Sequence, residues 1–236
     1  HEKGNIITVD MVRSLRTALE GLSEYIHLKL VTIEGAGPDF SFGASIPEHA
    51  PDRIGHVLPQ MHELIYDLLD LPIPTAAIVR GRCLGGGFEL ALACDFIFAE
   101  EGATFGLPEI ALGVFPPAAS ALLPFKTGAA RAAGAILTGR TWTAAEWHAR
   151  GLIEAVAPAG ALQHAVDDWF ETHLAGKSAA ALRHAAAAAR MGLQSHVREV
   201  LPRLEQLYLQ DVMRTHDAVE GITAFLEKRK PSWMDR

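Results

Sequence analysis

The chain has 236 residues, 49% of them hydrophobic and 21% charged, and a formal net charge of −7. That is globular composition with ample apolar material for a core, one large domain or one and a half by length. The longest basic run is Lys228-Arg229-Lys230, with no interleaved aromatics, and no apolar stretch reaches the roughly 18 to 20 residues of a bilayer span, which argues against nucleic acid and membrane as partners.

The polar opening His1-Glu2-Lys3-Gly4-Asn5 does not have the form of a signal peptide. Thr8 is placed to cap a helix whose apolar positions are Val12, Leu15, Leu19, Leu22 and Ile26. Leu28 to Glu34 is apolar and β-branched and is predicted as a strand. Gly35-Ala36-Gly37-Pro38-Asp39 then breaks regular structure before a loop carrying Phe40-Ser41-Phe42-Gly43-Ala44-Ser45. Leu58 to Leu71 is a second amphipathic helix, stopped by Pro72 and Pro74. A strand over Thr75 to Val79 leads into a glycine turn, a short helix through Leu90-Ala91-Leu92-Ala93, and a strand over Asp95 to Ala99. Phe105 to Glu109 is a short extended piece ending at Pro108. Helices are predicted over Ala129 to Leu137 and Ala144 to Arg150, with a strand over Leu152 to Ala157 between them and the tail. Beyond Ala161 only helices are predicted: Leu162–Leu174, Ser178–Met191, His196–Arg214 and His216–Lys228. An α/β core over residues 1–160 followed by a helical region over 161–236 is therefore expected, with the apolar stripes of the tail suited to oligomerisation. Cys83 and Cys94 make no disulfide framework; as free thiols they suit a reducing cytoplasm.

The stretch with the most chemical content is Gly85-Gly86-Gly87-Phe88-Glu89, between a strand and a helix start. The first turn of a helix has unpaired N–H groups, and glycine lets a ligand approach them. Such donors bind a phosphate or the oxyanion of a reacting carbonyl, and an ionisable group one step along favours the second use. Glu89 lies in Phe88-Glu89-Leu90-Ala91-Leu92-Ala93-Cys94, which holds no other charge. Glu109 follows Pro108 at a second helix start, where an acid is also an ordinary cap. Taken together, both open helices after strand-like segments, so both can point into one cleft. Two carboxyls in a dry cleft separate into one protonated and one ionised group, as acid–base chemistry on water needs. The small residues of Phe42-Gly43-Ala44-Ser45 allow Ala44 to aim a second backbone N–H. No P-loop, dinucleotide fingerprint or nucleophile elbow is present, and His49, His56 and His62 lack compact metal-ligand spacing; no metal is expected.

From about Asn5 to Trp233 these pieces resemble the crotonase (enoyl-CoA hydratase/isomerase) superfamily. The resemblance rests on Gly81-Arg82-Cys83-Leu84-Gly85-Gly86-Gly87-Phe88-Glu89-Leu90-Ala91-Leu92-Ala93-Cys94-Asp95 and on Phe105-Gly106-Leu107-Pro108-Glu109-Ile110-Ala111-Leu112-Gly113. Leu137-Thr138-Gly139-Arg140, Ala149-Arg150-Gly151-Leu152-Ile153 and Phe225-Leu226-Glu227-Lys228-Arg229 look like later family blocks. The resemblance implies a spiral of ββα repeats with a C-terminal helical trimerisation region, working as a homotrimer or a dimer of trimers. It implies that the Ala44 and Gly86 amides hold the thioester oxygen of an acyl-CoA. Glu89 and Glu109 would share one water, one taking its proton and the other protonating the enolate carbon. CoA is then part of the substrate and not a cofactor, with Phe42, Ala44, Ile46, Lys228 and Lys230 as its expected contacts.

Two segments depart from the ordinary pattern. Ser45, followed by Ile46-Pro47-Glu48-His49, replaces the usual acid after Gly43-Ala44. Val114-Phe115-Pro116-Pro117-Ala118-Ala119-Ser120-Ala121-Leu122-Leu123-Pro124 replaces the usual glycine-rich run. These segments resemble the cyclic dienoyl-CoA hydratases, which hydrate cyclohexa-1,5-diene-1-carbonyl-CoA to a 6-hydroxycyclohexene carbonyl-CoA. Ser45, His49, Leu107, Phe115, Pro116 and Pro117 are the expected acyl-pocket residues, the aromatic and prolines forming a stiff wall for a flat ring. The alternatives on the same scaffold are linear enoyl-CoA hydration or isomerisation and ring-opening hydrolysis; the alternative of another class is a noncatalytic crotonase-like binding protein. The family's opening strand or hairpin has no counterpart before Lys3-Gly4-Asn5-Ile6-Ile7: either those strands precede the sequence given or the start has diverged.

Overall fold

In the computed structural model, which describes residues 4–236, strands β1 (Val31–Glu34), β2 (Thr75–Val79), β4 (Phe96–Glu100) and β7 (Ala155–Ala157) form a parallel sheet in the order β1-β2-β4-β7. A smaller sheet has the order β3-β5-β6, from β3 (Arg82–Leu84), β5 (Thr104–Gly106) and β6 (Trp142–Thr143). Residues 1–3 of the polar opening lie outside the described residues.

One unit recurs along the chain: a strand of the large sheet, a strand of the small one, then a helix. β2 and β3 lead into α3 (Gly86–Ala93). β4 and β5 lead into a 3₁₀ helix, Pro108–Leu112. β1 is followed by Ser41, which bridges to Cys83 of β3, and then by α2 (Ile54–Asp70). Both faces of the large sheet are covered. Ala77, Val79, Ile97 and Ala99 enter the main core with α2 and α3, while Ala76, Ile78 and Phe98 pack under Leu162 and Val166 of α7 (Leu162–Phe170). This is why β2 is apolar throughout and does not alternate.

Thr8 caps α1 (Val9–Glu20) as expected, accepting from the Met11 N–H, but the helix stops at Gly21 and Leu22–Glu24 forms a separate 3₁₀ turn. Arg82–Leu84, expected as part of a turn, is β3. The proline-bearing segment expected as a stiff wall is in large part α4 (Pro117–Thr127). Pro117 occupies the first turn, where its missing N–H has no intrahelical partner to lose. α5 (Ala129–Thr138) and α6 (Ala144–His148) follow close to prediction.

The segments Ser178–Met191 and His196–Arg214, expected as two helices, are joined in α8 (Ala179–Gln206), 28 residues long. Its buried stripe of Arg190, Leu193, Val197 and Leu201 runs through the join, and Leu193, Val197 and Leu201 enter the main core. Burial thus overrides the cost of about 1 kcal/mol for Gly192 inside a helix. α8 continues into a π-helical turn, Leu207–Asp211, and α9 (His216–Leu226) closes the chain against the 3₁₀ helix that carries Glu109. No described helix is long and apolar enough to cross a membrane.

Candidate active site

Strand pairing assembles the site. Ser41 is bridged to Cys83 in parallel, and Ala44 and Gly86 each lie three residues further on (44 − 41 = 86 − 83). Parallel chains leaving a shared bridge stay abreast, so the two residues become neighbours. A methyl group added at Gly86 would stand 3.3 Å from the Ala44 nitrogen. The Ala44 strand is fixed on its other edge: the Ile7 N–H donates to the Gly43 carbonyl at 2.9 Å and the Ser45 N–H to the Ile7 carbonyl at 2.9 Å. Those bonds use the groups flanking Ala44 and turn its own N–H the opposite way. Among the described residues neither the Ala44 N–H nor the Gly86 N–H has an acceptor. Gly86 opens α3, so its N–H is one of the orphan donors of a helix start. Two unpaired amides, a step apart, thus face one cavity.

The cavity, of about 80 Å³, also takes in Glu89 and Glu109. A single water needs about 10–15 Å³ of such space, so a water and a small acyl group both fit. Glu89 is in the first turn of α3 and buried. Its Oε1 accepts from the Ala119 N–H at 2.8 Å, in the first turn of α4. Burial pushes this carboxyl up from its ordinary range, and the Ala119 N–H, His62 and the Ala118 N–H oppose the rise. Glu109 follows β5, which pairs with β3 through Leu84↔Gly106. It reaches toward the same turn: a methyl group on Gly85 would come within 2.7 Å of Glu109 Oε1. Gly85 has φ +51, so the turn itself requires glycine. Glu109 Oε2 is sealed from solvent and has no hydrogen-bond partner. Burial first, and the charge of Glu89 second, push the Glu109 carboxyl up to about 8.

The two acids therefore have unlike environments. Glu89 sits on the N-terminus of α4, whose free N–H groups and dipole favour an anion. Glu109 receives only its own backbone N–H. Negative charge is therefore better accommodated on Glu89 than on Glu109.

Of the other residues singled out in the sequence, Phe42, Ile46, His49, Phe115, Pro116 and Pro117 line the cavity. The His49 Nδ1 faces the Ser45 carbonyl at 2.9 Å, so that nitrogen carries the proton, and burial lowers the ring's basicity. Four residues are not on the lining. Ser45 is buried, and its backbone serves the Ile7 and His49 contacts that hold the loop. Leu107 is fully buried in the main core. Lys228 and Lys230 are exposed beyond the end of α9. The tail there folds back on α9 through Arg229–Glu220 and through the Met234 and Asp235 N–H groups on Asp217.

Val114, in the segment singled out in the sequence, also lines the cavity, whereas sequence reasoning missed Leu58 and Met61 of α2, Leu112, Tyr208 and Ile222. Each sits on an apolar helical stripe or buried segment and carries no local signal of a site. His62, next to Met61, carries no metal-ligand spacing in the sequence. It is buried, its Nδ1 lies 2.6 Å from Glu205 Oε2, and its Nε2 has no partner. Among the described residues no three metal-ligating side chains cluster.

The sequence pattern described as enoyl-CoA hydratase/isomerase matches residues 1–236, and the chain belongs to that family. It is a hydro-lyase of the acyl-CoA hydratase kind. It is 44% identical over 237 residues to the cyclohexa-1,5-dienecarbonyl-CoA hydratase of Thauera aromatica, covering 99% of this chain and 90% of that one. It is 31% identical to the 2,3-dehydroadipyl-CoA hydratase of Escherichia coli K12, covering 98% and 91%. Among solved structures, an enoyl-CoA hydratase from Mycobacterium avium subsp. paratuberculosis K-10 superposes with a TM-score of 0.85 at 32% identity, covering 98% and 90%.

Proposed function

We propose that this hydratase acts on a cyclic dienoyl thioester, converting cyclohexa-1,5-diene-1-carbonyl-CoA to 6-hydroxycyclohex-1-ene-1-carbonyl-CoA. The observation that carries the mechanism is the unequal pair: Glu89 on a helix N-terminus and Glu109 with one oxygen sealed and unpartnered, both beside two unpaired amides. The 44% identity to a hydratase named for this diene, and the Phe115-Pro116-Pro117 wall, support the ring over a linear chain.

The Ala44 and Gly86 amides hold the thioester oxygen. As charge develops there each donor contributes about 2.7 to 4 kcal/mol. Ionised Glu89 takes a proton from the bound water as its oxygen bonds to the ring carbon β to the thioester. The displaced electron pair passes through the thioester carbon to the oxygen, giving a dienolate. Glu109 then delivers its proton to the far carbon of that dienolate, across the ring from the new hydroxyl. The remaining double bond shifts into conjugation with the thioester, and one water has been added. CoA leaves still attached to the product, as the carrier of the acyl group. The exposed apolar side chains Met191, Leu207, Phe225 and Leu226 support assembly of several copies, for which a homotrimer is the family expectation.

A mass-spectrometric panel of cyclic dienoyl-CoA against linear 2-enoyl-CoA thioesters tests the substrate. Faster turnover of the ring is expected, with the new deuterium in D₂O placed across the ring from the hydroxyl. Faster turnover of a linear chain would assign the protein to ordinary enoyl-CoA hydration instead.

A further inference from the structure

Tyr208 stands out among the residues that neither the sequence motifs nor the acid–base chemistry uses. It lies in the π-helical turn Leu207–Asp211 at the end of α8. Such turns are rare and frequently lie at functional sites. Here the side chain is turned inward: Tyr208 is 2% exposed and lines the cavity with both glutamates. Its ring meets Phe115 edge-on, with centroids 5.6 Å apart and planes inclined at 66°. The two rings, from segments more than ninety residues apart (208 − 115 = 93), make one aromatic corner.

The hydroxyl is as informative as the ring. No hydrogen bond from a described residue acts on the phenol, and Glu109 Oε2 in the same cavity is sealed and unpartnered. Buried polar groups are nearly always satisfied, so a sealed carboxyl oxygen beside a phenol with no protein partner points to a polar guest. Burial and the charges of Glu109 and Glu89 push the phenol well up, so it stays protonated and available as a donor.

We propose that Tyr208 is the specificity-determining residue for a ring-shaped acyl group: its ring and Phe115 cover the flat carbocycle, and its hydroxyl donates to the water that Glu89 activates. This rests on the cyclic-substrate reading above and names the residue that enforces it. A linear acyl chain is too thin to fill an aromatic corner and gains less from it. No bond to Tyr208 is made or broken; it orients, while the protons move through the glutamates.

The test compares wild type, Tyr208→Phe and Tyr208→Leu on cyclohexa-1,5-diene-1-carbonyl-CoA and on crotonyl-CoA, with the Kd of saturated cyclohexanecarbonyl-CoA and butyryl-CoA measured alongside. Tyr208→Phe keeps the ring, so it is expected to bind cyclohexanecarbonyl-CoA as wild type does while kcat on the diene falls about tenfold, the loss of roughly one hydrogen bond. Tyr208→Leu is expected to weaken cyclohexanecarbonyl-CoA binding by about tenfold or more and to shift the diene-to-crotonyl ratio of kcat/KM toward the linear substrate. For Tyr208→Leu, parallel losses on both substrates with an unchanged ratio, in a variant that retains the wild-type thermal midpoint, would overturn the role of the ring, and an unchanged kcat in Tyr208→Phe would overturn that of the hydroxyl. A wild-type enzyme that ignores the diene but hydrates crotonyl-CoA would overturn the cyclic reading and this assignment with it. Because the saturated esters need no turnover, their Kd values decide the matter even in a variant with little activity.

Discussion

Glu89 and Glu109 have the same side chain, and their neighbours make them unlike. Glu89 accepts the Ala119 N–H at 2.8 Å, a bond that strengthens with negative charge. Glu109 has a sealed, unpaired oxygen and faces an existing anion. Glu89→Gln and Glu109→Gln are each expected to lower kcat about 100- to 10,000-fold while largely preserving Kd for a saturated acyl-CoA. Hydration also needs Glu109 protonated, so kcat/KM is expected to fall as pH rises through about 8; a rate that stays level to pH 9.5 would contradict this. The same shift has a stability consequence of definite sign. In the folded protein Glu109 holds its proton up to about 8, whereas unfolded it ionises near its ordinary 4.5. Between those values the unfolded state gains by releasing a proton, so stability declines as pH rises through that window. Glu109→Gln removes the ionisable group. It is expected to be inactive yet more stable than wild type at pH 8, with the difference vanishing near pH 4, as followed by urea denaturation at the two pH values.

At the scale of elements, the site depends on how closely α9 approaches the 3₁₀ helix Pro108–Leu112. An added methyl at Gly221 would stand 2.2 Å from the Leu112 carbonyl oxygen, so only glycine allows the contact. Gly221→Ala is expected to push α9 away, displace Glu109 and reduce kcat. A displacement of about 1 Å costs roughly 100-fold when it falls on a reacting group. Gly134 in α5 is the matched control. A methyl there meets nothing within 4 Å, so Gly134→Ala is expected to leave kcat unchanged and to stabilise by about 0.5 to 1 kcal/mol. Equal effects of the two substitutions on kcat would refute the claim that α9 positions Glu109. The N-terminus of α4 belongs to the same scale. Its prolines, which sequence reading took as a wall, start a helix whose N–H groups meet Glu89.

Across the whole molecule, α8 is joined to the α/β core through Arg190. This guanidinium is 4% exposed. It pairs with Asp95, donating to Oδ1 at 2.6 Å, and donates to the carbonyls of Leu71 and of Ile73, the latter at 2.9 Å. Asp95 in turn accepts the Thr75 N–H at 2.8 Å, at the head of β2. The pair therefore ties the long C-terminal helix to the strand that leads into the catalytic turn. Breaking a buried pair by removing one partner strands the other charge, at about 3 to 5 kcal/mol. Arg190→Met is expected to destabilise by that amount in urea; a loss under 1 kcal/mol would show that apolar packing of Leu193, Val197 and Leu201 alone secures α8.

The local sequence determined much of this protein. Glycines before a lone acid, an acid after Pro108, and apolar runs too regular for loops were enough to single out both carboxyls and the strand–turn–helix units that carry them, while the pairing of the Ala44 and Gly86 amides rested on the family resemblance. These features lie within a few residues of one another, where backbone geometry and helix-end chemistry are set by nearest neighbours. What tertiary structure decided is what no local pattern encodes. Pairing of Ser41 with Cys83 set Ala44 beside Gly86; the α4 N-terminus gave Glu89 an N–H donor that Glu109 lacks; and the π turn brought Tyr208 to Phe115. Each depends on contacts between segments tens of residues apart, and those contacts fix which side chains share a low-dielectric space and which remain in water.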